Sequence, residues 1–204
     1  MKIQLKNRSK NIFIVYIDNE IRGTLPGRVL RFFSLLPEME NDLPAERKEE
    51  LLAEIDKFNW NKLLNFLSYR ERSEWECRCF LKDNFLPLPL IEKLVDKAVS
   101  SNLIDDVRFA EIYVQDLLAK KKSKNQIKAK LIEKHLSESL IAEVLERYCT
   151  EQQKEEILLV NFDKAAGRFS SLPAEIRKEK ILNYLVRKGF SYGEIKQKMD
   201  EEGY

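Results

Sequence analysis

Three segments of this chain are written on one pattern: SEWECRCFL from Ser73 to Leu81, SKNQIKAKL from Ser123 to Leu131, and SYGEIKQKM from Ser191 to Met199. Each reads serine, two spacers, Glu or Gln, a small or branched apolar residue, a cation, two spacers, then Leu or Met. A serine hydroxyl followed three residues later by Glu or Gln is the signature of a helix-opening capping box, in which side chain and backbone exchange hydrogen bonds. The pattern therefore predicts three helices opened in the same way. It confines the chain to repeat architectures built from short helical units.

The preceding residues keep register too: Leu64, Leu67 then Ser73 is matched by Val114, Leu117 then Ser123 and by Leu182, Leu185 then Ser191. Each serine is thus expected to end a linker of fixed length. Downstream of the first two copies, Ile91, Leu94, Val95 and Ala98 match Ile141, Val144, Leu145 and Tyr148 at an offset of fifty residues. This adds a third helix to the unit. In the third copy that helix is missing, and Lys154 to Phe169, with Ile157, Leu158, Phe162, Ala165 and Phe169 apolar, is expected to take its slot. Such units bury their apolar faces by stacking, so the expectation is a mainly α protein of tandem three-helix repeats forming an elongated array. The expected divisions are residues 1–58 for an N-terminal hairpin plus helices, 59–102 and 103–150 for the first two repeats, and 151–204 for the third with its extra preceding helix.

Residues 11–25 are the one place where strand is favoured, because IFIVYI is branched and aromatic, Asp18-Asn19 is a turn signal, and Ile21, Gly23 and Leu25 alternate with polar neighbours. A small β-hairpin is expected there, packed on the helices or on a partner, since an isolated hairpin is marginal in water. The charge then changes sign. Residues 1–31 carry seven Lys/Arg against Asp18 and Glu20, whereas residues 38–56 carry eight Asp/Glu against Arg47 and Lys48. Pro44 to Phe58 has helical spacing, and Leu63–Tyr69, Ser73–Lys82 and Pro89–Ser101 are expected as the helices of the first repeat.

A formal net charge of +2, with 34% of residues charged, is too even for a protein that works by charge alone on a phosphate backbone. Three cysteines, Cys77, Cys79 and Cys149, make no CxxC pair and no even disulfide set. With no apolar run of membrane-spanning length and no secretory leader pattern, the expectation is a reducing, cytoplasmic location.

The residues DDVRFAEIYV (Asp105 to Val114), LLAKKKSKNQIKAKLIEKHL after them, YLVRKGFSYGEIK (Tyr184 to Lys196) and YRERSEWECRCFL (Tyr69 to Leu81) together resemble the RecX family, the regulatory proteins that modulate the RecA recombinase. The resemblance covers roughly residues 63–199. It implies three tandem three-helix units and an activity that blocks extension of the recombinase filament on single-stranded DNA, or inhibits its ATPase and strand exchange, and so regulates DNA repair and recombination. No enzymatic activity, cofactor or metal is expected of it. The partner expected is the recombinase filament, with single- or double-stranded DNA as a second one; the chain itself is expected to be a monomer that does not engage membranes. The alternative, from another class, is a stand-alone helical DNA-binding module, because helix pairs joined by short basic linkers also suit DNA.

Catalytic chemistry finds little footing in the residues. His135, the only histidine, stands at a helix end with no Ser or Cys spaced beside it for nucleophilic work. Asp105 and Asp106 can be read as metal ligands or as the acids that a helix start favours, and the second reading needs nothing further. Cys77 stands where Ile127 and Ile195 stand in the other copies, which marks a core position. The lysines carry the functional expectation. Residues 120–134 hold seven Lys against Glu133 alone. One reading is a solvated helix whose lysine stems cover the core edge. The other is a surface facing phosphates or acids, made by Lys120, Lys121, Lys122, Lys124, Lys128 and Lys130, joined by Arg70, Arg72 and Arg78 in the first repeat and Arg187 and Lys188 in the third.

Overall fold

The computed structural model describes residues 1–37, 39 and 41–204; Glu38 and Glu40, which open the acidic stretch, lie outside the described residues. Among the described residues the chain is mainly helical, with one small N-terminal sheet, and it divides into two compact units, residues 1–106 and 107–204.

The first unit begins with strands β1 (Lys2–Ser9), β2 (Ile12–Ile17) and β3 (Glu20–Pro26), and β4 (Asn41–Asp42) completes an antiparallel sheet in the order β3-β2-β1-β4. The expected hairpin is β2–β3, turned at Asp18 and Asn19, both in the left-handed region (φ 50° and 67°). It does not stand alone, however. β1, whose Ile3 and Leu5 alternate with polar residues, pairs with β2 from Ile3↔Ile17 to Ser9↔Ile12. The alternation was visible in the sequence, but basic residues between the apolar ones masked it.

Between β3 and β4 lies the short helix α1 (Gly27–Phe32), and a 3₁₀ turn at Ala45–Arg47 leads into α2 (Lys48–Leu67). The two helices expected at Pro44–Phe58 and Leu63–Tyr69 are thus one, because nothing in the intervening NWNK breaks a helix. Helix α2 lies on the sheet: Asn59 accepts from the Thr24 hydroxyl (2.8 Å) and donates to the Thr24 carbonyl (3.0 Å). A Cβ at Gly23, where φ is +142°, would lie 2.6 Å from Ile55 Cγ2, so only glycine lets the helix come this close. Ile3, Val15, Ile17 and Leu25 of the sheet, Ile55 and Leu63 of α2, Cys77 and Leu81 of α3 (Glu74–Asp83), and Leu94, Val95 and Ala98 of α4 (Leu88–Ser100) close a single core. The hairpin therefore packs on the chain's own helices.

The second unit holds α5 from Val107 onward (the helix is Asp106–Ala119), α6 (Lys124–Ile132), α7 (Glu138–Tyr148), α8 (Glu151–Arg168), α9 (Ala174–Arg187) and α10 (Tyr192–Glu201). Helices α5, α6 and α7 enclose one core around Phe109, Val114, Ile127, Leu131 and Val144. Helices α8, α9 and α10 enclose another around Phe162, Ala165, Ile181, Leu185, Ile195 and Met199. Helix α8 thus completes the third bundle, and it starts earlier than its apolar pattern because Thr150 and Gln153 form a capping box.

Candidate partner-binding surface

All three repeat serines open helices in extended backbone conformation. Ser73 and Ser191 form full capping boxes with Glu76 and Glu194, and Ser123 accepts from the Gln126 N–H. The residue four beyond each, Cys77, Ile127 or Ile195, is fully buried, as is the residue eight beyond, Leu81, Leu131 or Met199. Burial pushes the Cys77 thiol up to about 12, with the Glu76 carboxylate adding to it, so this sulfur is a core atom and not a nucleophile.

The linkers before the serines are not of one length. Helices α5 and α9 end four residues before their serines, at Ala119 and Arg187, whereas α2 ends six before Ser73. In the second and third repeats a left-handed residue, Lys121 (φ 54°) or Gly189 (φ 81°), turns the chain, and the next N–H reaches back five residues: Lys122 to the Leu117 carbonyl (3.1 Å) and Phe190 to the Leu185 carbonyl (3.2 Å). The first repeat replaces this turn with a side-chain lock. Arg70 grips both oxygens of the capping Glu76, at 3.1 and 2.9 Å, and also donates to the Glu71 carbonyl.

That lock decides what the first-repeat arginines do. The Arg72 guanidinium lies over Phe66, 4.0 Å from the ring centroid, and Phe66 stacks on Phe80. Burial followed by the neighbouring Arg70 charge lowers the Arg72 guanidinium from its usual value. Arg78 bridges Glu74 and Glu92. All three are engaged within the unit. Asp106, read from sequence as an acid at the start of its own helix, accepts the backbone N–H of Glu74 (2.8 Å) and so places a carboxylate at the N-terminus of α3. Sequence reasoning missed this because the partners are far apart along the chain.

The lysines of the second unit are differently placed. Lys121 pairs with Glu156 (2.5 Å), Lys130 with Glu133 (2.7 Å), and Lys188 lies over the Tyr184 ring. Arg187 donates to the Asn183 carbonyl. Among the described residues, the side chains of Lys120, Lys122, Lys124 and Lys128 have no hydrogen-bond or ion-pair partner. Lys124 and Lys128 stand one turn apart on α6 and line a groove of about 1140 Å³ whose apolar walls include Ile132, Ile141, Leu145 and Cys149. Ile132 leaves 54% of its surface exposed there. His135 borders the groove as the left-handed residue (φ 56°) that ends α6, the helix-end role that its position predicts.

No group of three or more His, Cys, Asp or Glu side chains able to hold a metal occurs among the described residues. No helix among them is long and apolar enough to cross a membrane.

Residues 105–145 match the family described as RecX, second three-helix domain. A protein of Listeria welshimeri, named Regulatory protein RecX, is 30% identical over 192 residues that cover 93% of this chain and 70% of that protein. The chain belongs to the RecX family. The RecX protein of Clostridium acetobutylicum is 27% identical over 98% of this chain and 94% of its own length, so the likeness runs through both units. Among solved structures, one described as the crystal structure of regulatory protein RecX superposes with a TM-score of 0.68 at 26% identity, covering 97% of each chain. RecX from Lactobacillus salivarius gives a TM-score of 0.62 at 28% identity over 72% of this chain and 95% of the other. The Listeria and Clostridium relatives and the first of these structures are named as regulatory proteins, and none of the four is named as an enzyme.

Proposed function

We propose that this RecX-family chain binds the filament that a RecA-type recombinase forms on single-stranded DNA and restrains its ATP hydrolysis, its extension and its strand exchange. Likeness to proteins named Regulatory protein RecX along almost the entire chain carries this reading. The α6 surface supports it: Lys124 and Lys128, neither held in an ion pair, stand beside exposed apolar surface in a groove that Glu138, Glu146 and Glu151 also line, a mixed surface that a protein partner can cover. The free thiols of Cys77, Cys79 and Cys149 suit the reducing cytoplasm in which such a filament works. A binder shifts its partner only by differential affinity for one of the partner's states, so inhibition requires tighter binding to a filament state that hydrolyses or extends slowly.

The test is ATP turnover by a RecA-type recombinase on single-stranded DNA with this protein at substoichiometric ratios. Slowed turnover is expected; an unchanged rate at equimolar protein rules the reading out. A gel shift with DNA and no recombinase belongs beside it, because tight binding there, combined with unchanged turnover, makes the chain a stand-alone DNA-binding module.

A further inference from the structure

The first unit contains a second basic site, remote in sequence from the repeat linkers. Where β1, α1 and α2 meet the end of α3, a cleft of about 730 Å³ is lined by Arg8, Arg28 and Lys62 together with the neutral polar side chains of Ser9, Asn61 and Asn65, and no acidic residue lines it. The three cations reach it from three elements, β1, α1 and α2. Among the described residues, none of them has a carboxylate partner. This sets the cleft apart from Arg70 and Arg78 of the first repeat, whose charges are answered by Glu74, Glu76 and Glu92.

Arg8 is fixed in place by neutral groups. Its guanidinium donates to Asn84 Oδ1 (2.5 Å) and to the Asp83 carbonyl (2.9 Å), and it lies 5.2 Å from the centroid of Phe85, a ring left 49% exposed. Such contacts hold the side chain without cancelling its charge. The Lys62 ammonium, 5.9 Å from the Phe58 ring centroid, is half-buried. Its pKa falls to about 8, chiefly because burial strips solvent from it and then because the Arg8 charge stands nearby. Like charges held together, partly desolvated and without a counterion, are unfavourable unless an anion completes them.

We propose that this cleft binds the phosphate of a nucleotide, with Arg8, Arg28 and Lys62 as its counter-charges and the neighbouring amides as donors. Phosphate oxyanions accept several charge-assisted hydrogen bonds at once, which three converging cations and two asparagines can supply. The size of the cleft and the exposed Phe85 beneath the Arg8 guanidinium leave room for the rest of a nucleotide, since stacked aromatic and guanidinium planes are a surface on which bases settle. The same phosphate chemistry occurs in a nucleic-acid strand and in a free nucleoside triphosphate. The proposal is independent of the recombinase reading, which rests on family likeness and the α6 lysines.

The experiment measures binding of a fluorescent thymidylate oligomer by anisotropy and of ATP by calorimetry. It uses the full chain, a variant carrying Arg28→Ala and Lys62→Met, and a second variant carrying Lys124→Ala and Lys128→Ala. At least one ligand should bind the wild-type chain, lose affinity at least about tenfold in the cleft variant, and keep it within about twofold in the α6 variant. Binding of the oligomer alone identifies a strand as the source of the phosphate, and binding of ATP alone identifies a free nucleotide.

Oligomer or nucleotide affinity should also fall as the pH is raised through about 8, where Lys62 gives up its proton. The other charged groups lining the cleft are Arg8 and Arg28, and Lys62 is the one amine among them, so the fall should vanish in the cleft variant, which lacks it. Arg28 is exposed, so Arg28→Ala alone, checked by an unchanged melting curve, keeps the test valid if the double variant misfolds. Failure of the wild-type chain to bind either ligand, or equal binding by wild type and the cleft variants, overturns the proposal.

Discussion

The hydroxyl of Ser123 donates to the backbone carbonyl of Lys188 at 2.6 Å while accepting the Gln126 N–H at 3.2 Å, so one side chain both opens α6 and ties it to the end of α9. Asn125 reinforces the tie by donating to the Gly189 carbonyl (2.8 Å), and Asn161 of α8 donates to the Lys121 carbonyl (3.1 Å). Within the second unit, the linker of one repeat is thereby hydrogen-bonded to the linker of the next. Ser123→Ala should cost about 2 kcal/mol, roughly 1 for the cap and 1 for the lost bond to Lys188. Ser137→Ala removes only the cap of α7 and should cost about 1 kcal/mol. Hydrogen exchange of the α6 and α7 amides reads the difference; equal costs would show that the tie contributes nothing.

Gly189→Ala tests the same junction from the other side. A Cβ there would stand 2.9 Å from the Ser123 hydroxyl, on a backbone with φ +81°. The expected destabilisation is about 1–2 kcal/mol. Combined with Ser123→Ala it should fall short of the sum of the single changes, because both act on one contact.

Asp106 gives the first unit a distinctive pH response. Burial raises its carboxyl above the ordinary range, offset in part by the Glu74 N–H and augmented by the Glu74 and Asp105 charges. A folded-state pKa above the unfolded one means that the folded chain holds the proton more tightly. The stabilisation from this group is therefore complete below the unfolded value and is lost as the pH rises through the folded one. Asp106→Asn keeps an acceptor for the Glu74 N–H and does not titrate. The stability of wild type relative to this variant should therefore decline from acid toward neutral pH, as read by urea midpoints; a rise would contradict the burial that the structure shows. Asp106→Ala should be destabilised at every pH, by about 1 kcal/mol.

Cysteine labelling separates core from surface. Cys77, its thiol held up at about 12, and Cys149, raised by burial, should resist iodoacetamide in the folded protein at mildly alkaline pH, while the partly exposed Cys79 is modified. Labelling of all three in unfolding concentrations of urea is the control.

The cations expected to face a partner should fall into two classes. Lys124→Ala with Lys128→Ala should leave the melting curve unchanged and weaken both filament binding and its salt dependence. Arg70→Ala should lower stability by about 1–2 kcal/mol, because the Glu76 carboxylate loses its bidentate partner where little water reaches it. Unaltered filament affinity and salt slope in the lysine variant would remove that pair from the mechanism.

The helices opened by the repeat serines, and the residues they bury, could be read along the chain because capping and helical periodicity are local: a serine bonds an amide three residues on, and apolar side chains four apart share a face. Ser73, Ser123 and Ser191, with Cys77, Ile127 and Ile195 beneath them, were legible for that reason, and so was the β2–β3 turn. The use made of the polar groups became visible once the elements were packed in three dimensions. Asp106 answers Glu74 across thirty-two residues, and Ser123 answers Lys188 across sixty-five. Arg70 and Arg78 meet carboxylates, whereas Arg8, Arg28 and Lys62 converge from three elements and meet none. Whether a charge is matched or left open depends on distances through space, and a one-dimensional pattern of cations carries no record of which acid the fold brings alongside.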